Sequence, residues 1–120
     1  MQRAQLIAFD AEDRLLEVLQ ELASSRSIWL RPVRHAKACL SLLRENGANV
    51  LVVGLGKDAE RPLSLMEQVA HLFPHTSIIA VGLNNNPPLD ALAWDLGAAY
   101  VLSPPQPLER IREIVLGFLG

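Results

Sequence analysis

Asn49-Val50-Leu51-Val52-Val53 is a short apolar run with no alternation of polar residues. Such a run reads as a strand covered on both faces, which is how parallel strands are buried. Gly54 to Arg61 follows as a loop. On either side, short β-like runs alternate with helical stretches.

Residues 4–9 (Ala-Gln-Leu-Ile-Ala-Phe) read as a buried strand that stops before Asp10. Residues 12–23 place Leu15, Val18, Leu19 and Leu22 on one helical stripe. Asp10, Glu12 and Asp13 fall at its start, where carboxylates suit the positive end of the dipole. Ser24-Ser25-Arg26 reads as a turn, and residues 27–32 as a second strand. Pro32 closes that strand and marks it as an edge, because proline cannot donate to a ladder. The spacing predicts a helix over 35–46, with Ala36, Cys39, Leu40 and Leu43 inward and Asn46-Gly47 as its stop. Pro62 fits the first position of a third helix running to Phe73. Residues 77–81 form a fourth strand, 88–96 a short helix stopped by Gly97, and 99–102 a fifth strand. The last helix covers 108–119, with Leu108, Ile111, Val115 and Phe118 inward.

This is five βα units in 120 residues. Right-handed βαβ crossovers give a parallel sheet with helices on both faces, a three-layer α/β sandwich. The flavodoxin-like strand order 2-1-3-4-5 is the default for this count. The proline-tipped second strand fits an edge, and the apolar first and third strands fit the middle.

Composition limits the function. Half of the residues are apolar and the formal charge is −2, so there is no global basic surface for nucleic acid. One cysteine excludes a disulfide framework and a Cys-rich zinc module. No apolar run approaches the roughly 20 residues of a membrane span. The N-terminus leads straight into a strand, so no signal peptide is expected. The expectation is one soluble, cytoplasmic domain over 1–120, without nucleic-acid or membrane contact.

In such a sheet the functional crevice lies at the carboxyl ends of the strands, at the switch between the first and the third. Asp10, Ala11, Gly54, Gly82, Leu83 and Ser103 to Pro105 fall there. Asp10 is the only ionisable side chain directly at these ends, and it reads as a cap or a solvated carboxylate. Glu12 and Asp13 add charge that could serve weak divalent binding. Gly54-Leu55-Gly56-Lys57-Asp58-Ala59 matches a loose G-x-G-x-x-A pattern, but Pro62 delays the helix that would meet a pyrophosphate. His71 and His75 have a metal-friendly spacing broken by Pro74. Cys39 sits on an apolar stripe as a small core residue. Arg26, Arg31, Arg34 and Lys37 read as a solvated basic face. No catalytic constellation, metal site or cofactor follows from these residues.

Two segments nonetheless resemble a known family. Leu6-Ile7-Ala8-Phe9-Asp10-Ala11-Glu12-Asp13 resembles the apolar strand and acidic pair that open response-regulator receiver domains. Gly97-Ala98-Ala99-Tyr100-Val101-Leu102-Ser103-Pro104-Pro105 resembles their closing G-A-x-x-Y-L-[ST]-K-P without a gap. The resemblance spans nearly the whole chain. It implies a phosphoacceptor Asp ending the third strand, where Gly54 stands. It implies a second acidic Mg²⁺ ligand where Ala11 stands, a Thr or Ser at Gly82, a lysine at Pro104 and a switch aromatic at Val101. It also implies a cis bond between Pro104 and Pro105.

Glycine offers no nucleophile for an aspartyl phosphate. Without the second carboxylate and the lysine there is neither a strong Mg²⁺ site nor a cation for phosphate charge. The chain is therefore expected to be a degenerate receiver, a non-enzymatic interaction domain of bacterial two-component-type signalling. It would form the N-terminal part of a longer signalling protein, with no phosphoacceptor and a residual acidic pocket of Asp10, Glu12 and Asp13. Its partner would be another signalling protein, an attached output domain or a second copy. The expected interaction face is an exposed patch of Trp94, Val101 and Ile114 on the fourth helix, fifth strand and fifth helix. The alternatives are a small flavodoxin-like protein binding a nucleotide or flavin through Gly54 to Ala59, and a receiver phosphorylated at Asp58.

Overall fold

Every residue of β1 (Gln5–Phe9) and β3 (Val50–Leu55) is buried, because helices cover both faces of the sheet at its centre. The computed structural model describes residues 4–46 and 50–120. The helix stop expected at Gly47 and the strand start at Asn49 lie outside the described residues. Five parallel strands run in the order β2-β1-β3-β4-β5, as expected, with β2 at Trp29–Val33, β4 at Ser77–Gly82 and β5 at Tyr100–Leu102. The helices are α1 (Asp13–Arg26), α2 (Ala36–Asn46), α3 (Glu60–Leu72), α4 (Pro87–Asp95) and α5 (Ile111–Leu119).

Two apolar layers hold the sandwich. Leu6, Ala8, Val50 and Val52 face α1 and α5, where Leu15, Leu19, Ile111 and Val115 are buried. Ile7, Phe9, Leu51 and Val53 face the other way, against Cys39, Leu65, Met66 and Ala93 of α2, α3 and α4. The strict alternation of these strand residues between layers is the period-two rule of a pleated strand. Two ion pairs, Arg14–Glu109 and Arg112–Glu21, each at 2.7 Å, join the α1 and α5 segments at the surface. A backbone N–H at Glu109 and the Arg14 guanidinium hold the Glu109 carboxyl below its ordinary pKa.

Several boundaries differ from the sequence expectation, each for a local reason. The expected turn at Ser24-Ser25-Arg26 continues α1, with the Ser25 hydroxyl donating back to the Leu22 carbonyl. Ser27 then takes a left-handed φ of 54° as the cap, which delays β2 to Trp29 and leaves Pro32 inside it. Pro62 is third rather than first in α3, still within the turn whose N–H groups have no helical acceptor. β3 runs on through Gly54 and Leu55, which pair with Val81 and Gly82. A short 3₁₀ turn, Leu108–Arg110, precedes α5. Gly97 stops α4 with φ at +112°, and a β-carbon there would stand 2.7 Å from the Ala70 β-carbon.

Candidate functional site

The carboxyl ends of β1 and β3 meet at Asp10 and Gly54. β1 ends at Phe9, and Asp10 turns the chain with φ at 53°, a left-handed conformation that Asp tolerates better than most residues. Its N–H donates to the Val33 carbonyl at 3.1 Å, which fixes the turn. The Asp10 carbonyl then points over β3. A β-carbon on Gly54 would lie 2.5 Å from the Asp10 oxygen, 3.2 Å from its carbonyl carbon and 3.4 Å from the Ala11 Cα. The space into which a side chain at Gly54 would project is occupied by the β1–α1 backbone.

This geometry does not fit a divalent ion between β1 and β3. Ala11 and Gly54 supply no carboxylate, and the backbone fills the gap between them. Asp10, Glu12 and Asp13 are exposed and do not form one pocket. Glu12 lines a cleft of about 310 Å³ on the β4–β5 side, with Arg14, Gly82, Ser103 and Gln106, whereas Asp10 and Asp13 do not. Among the described residues no three His, Cys, Asp or Glu side chains are placed to hold a metal ion. His71 and His75 are exposed, at the end of α3 and beyond it.

At the ends of β4 and β5 there is room. A β-carbon on Gly82 would meet the Ser103 β-carbon at 3.4 Å and Asp90 Oδ1 at 3.6 Å. The Ser103 hydroxyl donates to Asp90 Oδ2 at 2.7 Å, while Asp90 Oδ1 is buried without a hydrogen-bond partner. Asp90 had no place among the sequence candidates. Its only signal there is an acidic residue in the first turn of a helix. The Pro104–Pro105 bond is cis, as the resemblance implies. Pro104 brings no ammonium group to this end of the cleft.

The glycine loop does not form a phosphate cradle. Gly54 belongs to a strand, and α3 starts only at Glu60, after an Ala59 cap that makes no side-chain hydrogen bond. Asp58 is exposed beyond the strand and lines neither the cleft at Gly82 nor the smaller one between Lys57 and Asn84. Cys39 is fully buried, and burial pushes its thiol up to about 11.

The expected interaction patch is corrected in two of its three members. Trp94 is 48% exposed, but Val101 and Ile114 are buried at 6% and 7%. Val101 lies in the middle of β5 beneath the α4 layer, and Ile114 packs with Ile111 and Val115 in the α1–α5 layer. Leu92 is exposed on the opposite flank of α4 from Trp94, because Ala93 takes the buried position between them. Phe118 is likewise exposed, and Leu119 packs against the core in the same turn. The Arg26 to Lys37 run contains an aromatic contact that its charge pattern hid. The Arg31 guanidinium lies 4.7 Å from the centre of the Trp29 ring.

No protein-family model matches this sequence, and no curated protein matches it. Solved structures do. A response regulator from Thermotoga maritima matches at 14% identity with a TM-score of 0.83, over 98% of both chains. The signal receiver domain of an HD domain-containing protein from Pseudomonas fluorescens matches at 21% identity and a TM-score of 0.81, over 98% of this chain and 95% of that one. NtrX from Brucella abortus matches at 14% identity and 0.81, over 98% of this chain but 27% of its own. The likeness is one of fold, and this chain is built as receiver domains are built.

Proposed function

We propose that this chain is a receiver-fold regulatory domain of bacterial two-component-type signalling that works by protein contact, without phosphorylation and without catalysis. The observation that carries this reading is the Asp10 carbonyl standing over Gly54. The position that would bear a phosphoacceptor has no carboxylate, and it has no space for one. Ala11 and Pro104 remove the second acid and the cation by which phosphoryl charge would be neutralised. The HD domain-containing protein and NtrX support a place within a longer chain, since in NtrX the matched part is 27% of the whole. The proposed partner is another signalling protein or an attached output domain, in the cytoplasm. Trp94 and Leu92, half exposed on α4, are the proposed contact. A second copy of the chain could meet the same face.

The test is incubation with acetyl phosphate and Mg²⁺, and separately with beryllofluoride, followed by intact-mass and NMR measurement. The expected result is an unchanged mass and spectrum. A stable phosphoryl adduct on Asp10 or Asp58 would sink the reading.

A further inference from the structure

We infer that the β2–α2 side of the domain is a docking surface for an acidic segment of a protein partner. Charge in this chain is segregated although the net value is only −2. From Leu22 to Arg44 there is no Asp or Glu, while Arg26, Arg31, Arg34, Lys37 and Arg44 fall in that stretch. Among the described residues none of these cations forms an ion pair, and the pairs found join the α1 and α5 segments instead. A further cation comes from α3. Arg61 donates from Nη2 to the Arg34 carbonyl at 3.3 Å, so two exposed arginines meet at the carboxyl end of β2, with Lys37 in the first turn of α2.

Along the same strand, toward its amino end, lies an aromatic surface. Trp29 is 42% exposed, and Arg31 covers one part of its ring. Both residues share the register face of Ile7 and Phe9, which is the α2 side of the sheet. Tryptophan and arginine in contact give an apolar plate with a positive rim, the residue types that dominate binding energy at interfaces.

The occupant follows from charge and from the state of the edge. The Trp29 N–H is bonded to the Ala4 carbonyl, and the Val33 carbonyl accepts from Asp10. By strand alternation the outward groups belong to Leu30 and Pro32, and Pro32 has no N–H. The edge therefore resists strand addition, and side chains are left to do the binding. A polyphosphate backbone is disfavoured, because exposed Asp10, bonded to the end of β2, and exposed Asp58 and Glu60, just before Arg61, bring negative charge to the same strand ends. Discrete carboxylates on a short segment can reach Arg34, Lys37 and Arg61 without meeting them. This surface is distinct from the α4 contact and from the Gly54 position, so its failure would leave the phosphorylation argument untouched.

The test uses the full chain and two labelled probes: a ten-residue peptide of Glu and Asp with one Phe, and an oligothymidylate of equal length. Fluorescence anisotropy follows binding at low and at physiological salt. The peptide is expected to bind more tightly than the oligothymidylate and to weaken as salt rises. Arg34→Glu with Arg61→Glu is expected to reduce peptide affinity about tenfold or more. Trp29→Ala is expected to reduce it at both salt concentrations, and Trp94→Ala to leave it unchanged. Should the double reversal fail to fold, Lys37→Glu carries the same test. Absence of peptide binding at low salt, indifference to these changes or tighter oligothymidylate binding would each overturn the inference.

Discussion

The Asp10 carbonyl oxygen lies 2.5 Å from the place a β-carbon on Gly54 would take. No ordinary β-carbon contact is that short, so any side chain at Gly54 must displace the backbone of the β1–α1 turn. Gly54→Ala is expected to destabilise the domain by about 1–3 kcal/mol, the range for overpacking a filled core. Gly54→Asp is expected to cost at least as much and to leave acetyl phosphate without effect. Urea titration and intact mass check the two halves. A Gly54→Asp variant that folds normally and takes up phosphate would show that the turn yields.

The Asp10 conformation supplies the other half of that contact. With φ at 53°, Asp10 occupies a region that costs most L-residues about 1–2 kcal/mol. Asp10→Val should be destabilising by that order, since a β-branched side chain tolerates it poorly, whereas Asp10→Asn should be nearly neutral. Thermal melts of the two variants give the comparison. Equal losses would indicate that the carboxylate, not the backbone, matters at this position.

Gly82 offers the opposite case. A β-carbon there meets only ordinary contacts, and Asp90 Oδ1 stands 3.6 Å away without a partner. Gly82→Ser puts a hydroxyl donor beside this buried oxygen and removes the freedom of a glycine in the unfolded chain. Each effect is worth about 0.5–1 kcal/mol. The variant is expected to unfold at higher urea concentration than the parent. Gly82→Ala separates the terms, because it keeps the chain-entropy gain and lacks the hydroxyl.

Cys39 gives a pH dependence with a definite sign. Its thiol is raised from 9.0 to about 11 by burial, so the folded state keeps the proton that the unfolded state releases. Below about pH 9 both states are protonated and the residue adds no pH dependence. Above that value stability should fall by about 1.4 kcal/mol per pH unit until the folded thiol itself titrates. A Cys39→Ala variant should lack this component of alkaline loss. In the native protein the thiol should resist a disulfide reagent at pH 8 and react once urea opens the fold.

The architecture was legible because it depends on patterns spread over many residues. The apolar runs at β1 and β3 and the helical stripe of Leu15, Val18, Leu19 and Leu22 survive errors of several residues at their ends. The site depends on single backbone angles and on neighbours distant in sequence. Gly54 could be read as a missing nucleophile. That the Asp10 carbonyl fills its place follows from one φ value, which no spacing encodes. Val101 and Ile114 are apolar in segments that flank the surface, so residue type alone could not separate buried from exposed. The Trp29–Arg31 contact was obscured for a similar reason, since a basic run reads as solvated until the strand phase brings two side chains onto one face.

Trp94 is the residue on which the α4 contact should turn. It is 48% exposed and meets the Tyr100 ring edge-on, with centroids 6.1 Å apart at 63°. Tyr100 is held in turn by a hydrogen bond from its hydroxyl to Gln106 at 3.0 Å, so the tryptophan is steadied from below while its outer part stays open. Leu92 at 43% and Leu83 at 38% add exposed apolar surface on α4 and the loop before it. An aromatic pair of this kind contributes about 0.5–1.5 kcal/mol beyond burial, so Trp94→Ala should leave the fold intact with a modest loss of stability. If Trp94 anchors an interface, the same change should cost about 2 kcal/mol or more of association. Leu92→Ala should cost less, since Leu92 lies on the other flank of the buried Ala93. Size-exclusion chromatography across a concentration series reads self-association, and capture by an output domain of the kind proposed above reads partner binding. A folded Trp94→Ala protein with unchanged assembly and unchanged capture would remove α4 as the contact.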